Sequence, residues 1–107
     1  MDARDVRMIR RDLGVTQREF ATLVNVGINT VRRWEQGRTR PSDLHAGTMR
    51  SIHQKVMRHR KQAAEENRKK AQEDLIKTLL GMAAAGAFAA LFAALFSNDD
   101  PNDDNAG

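Results

Sequence analysis

The sequence predicts an all-α protein in which a small helical bundle is followed by a long charged helix and an apolar C-terminal helix. Apolar residues recur three and four positions apart between residues 1 and 57, which is the period of an amphipathic helix. Residues 58–77 are rich in helix-forming residues and contain neither glycine nor proline. Residues 78–96 carry no charged side chain. A chain of 107 residues therefore holds one small domain with appended segments.

The first helix is predicted from Val6, Ile9 and Leu13, because their spacing puts all three on one face. Gly14 follows them, and glycine is the residue that most often ends a helix. We therefore expect this helix to end at Gly14 and to bury its apolar face.

A capping box predicts the start of the second helix. Thr16 is a good N-cap residue, and Glu19 stands three positions later, so each side chain can accept a hydrogen bond from the other residue's backbone N–H. The residues of this helix that should face the core are Phe20, Ala21, Leu23 and Val24.

Residues 25–27, Asn-Val-Gly, predict a tight turn, since Asn and Gly tolerate left-handed backbone angles. A third helix should run from Ile28 to Gln36, with Val31 and Trp34 buried and Gly37 at its end. A helix, a short turn containing glycine and a second helix make up the pattern of a helix-turn-helix. The second helix of that motif is free to enter a DNA major groove.

A fourth helix is predicted to begin after Ser42, whose hydroxyl can cap it. Its apolar residues should pack back on the domain; they are Leu44, Met49, Ile52 and Val56. The apolar stripe stops at Met57, so we predict a domain that comprises residues 1–57.

Basic residues dominate most of the chain. Residues 1–57 hold eleven Lys or Arg against six Asp or Glu, and residues 58–77 hold seven against four. Residues 97–107 contain four aspartates and no base, and we expect them to form a disordered acidic tail. A basic body favours a polyanionic partner, either DNA or an anionic membrane surface.

Several kinds of site are not predicted. The chain has no cysteine, which excludes disulfides and thiolate zinc sites, and its three histidines form no recognised ligand motif. No Ser/His/Asp triad or pair of carboxylates is discernible. We therefore expect no metal, no cofactor and no enzymatic activity, and a reducing cytoplasm suits the composition.

Three segments carry a resemblance to a known family. They are Val15–Ala21 (VTQREFA), Thr30–Gly37 (TVRRWEQG) and Arg38–Pro41 (RTRP). From about Ile9 to Ser42 the chain resembles the Cro/C1-type (XRE) helix-turn-helix family, which includes phage repressors and antitoxin autorepressors. Asn25 stands where that family usually has glycine, and Gly27 stands where it usually has a Ser or Thr cap.

The resemblance implies roles for individual residues. Those expected to contact base edges in double-stranded DNA are Ile28, Asn29, Arg32 and Arg33. Those expected to contact phosphates are Gln17, Arg38, Thr39 and Arg40. Arg10 and Glu35 match a structural ion pair between the first and third helices. Asn pairs well with adenine and Arg with guanine, and Ile can touch a thymine methyl group.

Residues 58–77 predict a charged helical connector. Opposite charges recur four positions apart, at Lys61 and Glu65, Glu65 and Lys69, Glu66 and Lys70, Lys69 and Glu73, and Lys70 and Asp74. Each such pair adds only about 0.2–0.5 kcal/mol to a helix, but together they favour a solvated helical spacer.

Residues 78–96 predict an apolar helix about 28 Å long at 1.5 Å per residue, close to the roughly 30 Å hydrocarbon thickness of a bilayer. Lysines precede it and aspartates follow it, as expected of an anchor on the inner face of the cell membrane. The alternative is a homodimer or higher homo-oligomer formed through one stripe of the helix. The residues of that stripe are Phe88, Leu91, Phe92, Leu95 and Phe96. Docking onto the N-terminal domain is a third alternative.

Three functions remain open at this stage. The first is a sequence-specific DNA-binding regulator, a repressor that is tethered or oligomerised through its C-terminal helix. The second is an architectural protein that tethers DNA at a membrane or in a multimeric scaffold, with weak sequence preference and steep salt dependence. The third is a protein-interaction adaptor.

Overall fold

The computed structural model of the protein describes residues 1–87. In this part of the chain there are five α-helices and no β-strand, so the predicted all-α class is confirmed. The helices are α1 (Ala3–Leu13), α2 (Gln17–Val24), α3 (Ile28–Glu35), α4 (Asp43–Gln62) and α5 (Arg68–Ala84), with a 3₁₀ turn at Glu65–Asn67.

The predicted helix ends are set by local hydrogen bonds. Gly14 ends α1 in the left-handed conformation at φ 71°. The side chains of Thr16 and Glu19 each accept a backbone N–H of the other residue and so form the predicted capping box of α2. Asn25 is also left-handed, at φ 63°, and ends α2. The third helix stops at Glu35, one residue before its predicted end.

The core lies between α1, α2, α3 and α4, and it contains the apolar residues predicted for the first three helices. The prediction for Leu44 is wrong, because this side chain is 69% exposed. It lies five positions before Met49, which turns it about 140° away from the buried face of α4. Ala46 and Thr48 are buried in the first turns of α4 instead.

Residues 58–77 do not form the continuous solvated spacer that their charge pattern predicts. The chain leaves the helical conformation at Ala63, which is extended, and α5 then packs back against α2 and α4. Ile76 and Leu79 are 7% and 5% exposed and join the core. The predicted connector is thus divided between the end of α4 and the start of α5. Most apolar residues of α5 come after residue 77, where the predicted connector ends.

Gln72 is the polar residue that joins α5 to the rest of the domain. Its side-chain Nε2 donates to the backbone carbonyl of Asp12 at 2.8 Å, and its Oε1 accepts from Arg60 Nη1 at 3.3 Å. One end of α1 and one end of α4 are therefore tied to the same buried amide.

The predicted apolar helix at residues 78–96 is not a single helix. The fifth helix ends at Ala84; Gly86 takes a left-handed φ of 80°, and the N–H of Ala87 donates to the carbonyl of Met82 at 2.9 Å, which closes the helix end. Leu79 belongs to this segment, and its side chain packs in the domain core. For this residue, docking onto the N-terminal domain is therefore the alternative that agrees with the structure.

The remainder of that segment, with Phe88, Leu91, Phe92, Leu95 and Phe96, lies outside the described residues, as does the predicted acidic tail at residues 97–107. No helix within residues 1–87 combines the length and the apolar character needed to cross a bilayer.

Candidate nucleic-acid interface

The turn between α2 and α3 fixes the relative position of these two helices. Asn25 ends α2, and the backbone N–H of Val26 donates to the carbonyl of Ala21 at 3.0 Å. Gly27 begins α3 with extended backbone angles and no side-chain cap. The inner side of α3 then buries Val31 and Trp34 against the core. Its opposite side is left for solvent.

The outer face of α3 consists of four exposed polar residues: Asn29, Arg32 and Arg33 on the helix, and Gln36 at its C-cap. At 100° per residue they span an arc of about 100° around the helix axis. Arg32 Nη1 donates to Asn29 Oδ1 at 3.1 Å, and Arg33 Nη2 donates to Thr30 Oγ1 at 3.4 Å. These bonds hold both guanidinium groups along the helix, with most of their N–H donors directed to solvent.

Two residues at the ends of α3, Ile28 and the C-cap Gln36, differ from the sequence-based expectation. Ile28 is only partly exposed, because it packs against the core, so it lies at the edge of the outer face and not in its middle. Gln36 was not predicted as a functional residue, although it follows Arg32 by four positions and Asn29 by seven. Helical periodicity extended by one more turn would have identified it.

Gln17 is the first residue of α2, and its side chain is held by α3. Its Nε2 donates to Glu35 Oε1 at 3.1 Å, which leaves one side-chain N–H for another acceptor. The capping box satisfies the N–H of Glu19, while the backbone N–H groups of Gln17 and Arg18 have no acceptor within the helix. The start of α2 therefore presents several hydrogen-bond donors beside the C-terminal end of α3.

The ion pair between Arg10 and Glu35 is formed, with two hydrogen bonds. Arg10 Nε lies 2.7 Å from Glu35 Oε2, and Arg10 Nη2 donates to Oε1 at 3.1 Å. Burial opposes ionisation of Glu35, but hydrogen bonds from Arg10 and Gln17, together with the nearby positive charges, lower its pKa below the ordinary value. The carboxylate thus joins α1, α2 and α3 at one point.

The turn after α3 carries three exposed residues with phosphate-binding character, Arg38, Thr39 and Arg40. It lies beside the start of α1. Gly37 has a left-handed φ of 76°, and a Cβ at this position would lie 3.9 Å from Ala3 Cβ. Arg7 Nη1 also donates to the carbonyl of Glu35.

All of these groups border α3, and docking of α5 leaves them accessible. The fifth helix packs on α2 and α4, while the outer face of α3 and the turn at residues 38–40 stay exposed in the part of the chain that the structure describes. The predicted phosphate and base contacts therefore lie together, with Ile28 at the margin.

Comparison with known proteins gives a family match over part of the chain. Residues 6–47 match the family model described as helix-turn-helix, which spans α1 to the first turn of α4. No curated protein and no solved structure gave a significant match.

Proposed function

We propose, from the Cro/C1-type helix-turn-helix DNA-binding domain at residues 6–47, that this protein is a sequence-specific transcriptional repressor that reads an operator through α3. The observation that carries the proposal is the outer face of α3, where Asn29, Arg32 and Arg33 are exposed side by side. Buried apolar residues on the opposite side fix that face outward. We assign the protein no enzymatic activity.

In this proposal the outer face of α3 reads base edges in the major groove. Asn29 suits adenine, because its amide both accepts and donates, and the fork of Arg32 or Arg33 suits the two acceptors of guanine. Ile28 can touch a thymine methyl group with the part of its side chain that is exposed.

The flanking groups hold the DNA backbone. Gln17 would direct its remaining side-chain N–H, and the free backbone N–H groups at the start of α2, toward one phosphate. Arg38, Thr39 and Arg40 would hold the backbone at the other end of α3. Such contacts set the register of the protein on the duplex but do not select a sequence.

We further propose that the protein acts as a homodimer or larger homo-oligomer in the cytoplasm and represses by occupying a promoter. Half-sites would then lie about 34–36 Å apart, one turn of the duplex. We favour self-association through the stripe that begins at Phe88 over a membrane anchor, because the apolar segment after Gly86 is short compared with a bilayer. Beyond Gly86 the apolar run comprises only residues 87–96, and ten residues would extend about 15 Å as a helix, half of a bilayer core.

The test is selection of bound duplexes from a random library, followed by titration of the enriched sequence. We expect Asn29→Ala and Arg33→Ala each to weaken operator binding by about 5- to 150-fold per half-site, since one good base contact contributes about 1–3 kcal/mol. Each variant should also lose its preference at one base position.

Arg50→Ala provides the control, since Arg50 is an exposed arginine on α4, outside the proposed interface. Its effect should be small and independent of sequence. Unchanged specificity in both α3 variants would contradict the proposed readout. Enrichment of no sequence, together with a steep salt dependence, would favour the architectural function instead.

A further inference from the structure

We propose that the cleft between the start of α1 and the turn after α3, hereafter the α1 cleft, binds one additional DNA backbone phosphate. Its polar lining is provided by Asp2, Arg4, Arg7, Thr39 and Arg40. The inference rests on the proposed function and extends the footprint on DNA to α1, whose arginines have no assigned role in binding.

The α1 cleft is built by contacts that hold its two walls together. Gly37 lies next to Ala3, and its left-handed φ of 76° would strain any other residue type. Arg7 donates to the carbonyl of Glu35, the last residue of α3, and so fixes the start of the turn beside α1. The backbone of the turn therefore lies beside the start of α1, which places arginines of both walls around one cleft.

The charge of the α1 cleft suits an anion. Three arginines face one carboxylate, that of Asp2, among the described residues that line it. The Asp2 carboxylate already accepts the backbone N–H of Asp5 at 3.0 Å as the N-cap of α1. The hydrogen bond from Asp5, together with the charge of Arg4, lowers the pKa of Asp2 below its ordinary value. Arg4 and Arg40 are exposed and form no ion pair within residues 1–87.

Position identifies DNA as the source of the anion. Thr39 and Arg40 belong both to the α1 cleft and to the turn that we propose to hold the backbone, so a strand lying along that turn passes the mouth of the cleft. A guanidinium group can donate two parallel hydrogen bonds to a phosphate, which makes Arg4 the residue best suited to add a contact there.

The experiment measures affinity for the selected operator against salt concentration, with Arg4→Gln and the control Arg50→Gln. Both variants remove one exposed positive charge. Loss of one phosphate contact should reduce the slope of log K against log salt by about 0.9 per protomer for Arg4→Gln. The ratio of the operator affinity of the original protein to that of Arg4→Gln should then fall about threefold per protomer between 50 and 200 mM salt. Base preference should stay the same, and Arg4→Lys should recover part of the slope.

A duplex with single uncharged methylphosphonate substitutions locates the contact. One position should weaken binding of the original protein and have no further effect on Arg4→Gln. Equal salt slopes for Arg4→Gln and Arg50→Gln would overturn the α1 cleft proposal while leaving the repressor proposal intact. Failure of the original protein to bind any duplex would overturn both.

Discussion

Replacing Ile76 by alanine should lower the free energy of unfolding by about 2–4 kcal/mol, the range for removing a buried Ile side chain down to Cβ. Ile76 is 7% exposed and packs with Leu79 in the same core cluster as the residues of α1 to α4. The cavity it would leave is bordered by two helices of the domain and cannot collapse completely. Urea unfolding followed by circular dichroism measures the change.

Lys77→Ala is the matched control, because Lys77 is the next residue in α5 and is exposed. It should change the free energy of unfolding by less than about 0.5 kcal/mol. If Ile76→Ala had an equally small effect, α5 would not belong to the cooperative folding unit, and its part of the connector predicted at residues 58–77 would behave as a solvated segment.

Membership of α5 in the domain has a structural consequence for the interface. Gln72 donates to the carbonyl of Asp12 near the end of α1, and α1 carries Arg10, which positions Glu35 at the end of α3. Loss of α5 would therefore loosen the support behind α3, the helix that we propose to read DNA, although α5 leaves the outer face of α3 free.

The first three helices and their ends could be predicted from sequence because the determining interactions are local. The capping box joins Thr16 to Glu19, three residues away, and the left-handed positions at Gly14 and Asn25 depend on residue type. Helical spacing alone separates the buried Val31 from the exposed Arg32. Resemblance to the helix-turn-helix family then pointed to the same helix for base contacts.

The parts that could not be predicted depend on contacts between residues far apart in the chain. The bond from Gln72 to Asp12 spans 60 residues, and the charge pattern around Gln72 gives no sign of it. The interaction of Arg7 with the end of α3 spans 28 residues. Leu44 is an error in the opposite direction, because its apolar character predicts burial and the side chain is exposed. The pattern at the start of α4 names no partner that could cover it.

Replacing Glu35 by alanine should destabilise the domain by about 2–4 kcal/mol. This is slightly less than the roughly 3–5 kcal/mol for removing one partner of a buried ion pair, because the Arg10 side chain is 20% exposed. Arg10 would retain only the carbonyl of Val15, at 3.1 Å, and the amide of Gln17 would lose its acceptor. Asp74→Ala breaks the exposed pair with Lys70, 3.7 Å apart, and should cost less than about 0.5 kcal/mol. Similar effects for the two variants would contradict a structural role for Glu35.

The pH dependence of Glu35→Gln distinguishes the charge from the shape of this side chain. Because the folded pKa of Glu35 is lowered, its ionisation stabilises the domain above the pKa of the unfolded chain, about 4.3 for Glu, and this stabilisation is lost as the pH falls through the lowered folded value. The difference in unfolding free energy between the original protein and Glu35→Gln should thus be largest at pH 7 and shrink toward pH 3. A constant difference over this range would mean that the hydrogen bonds of Glu35, and not its charge, hold α1 and α2 against the end of α3.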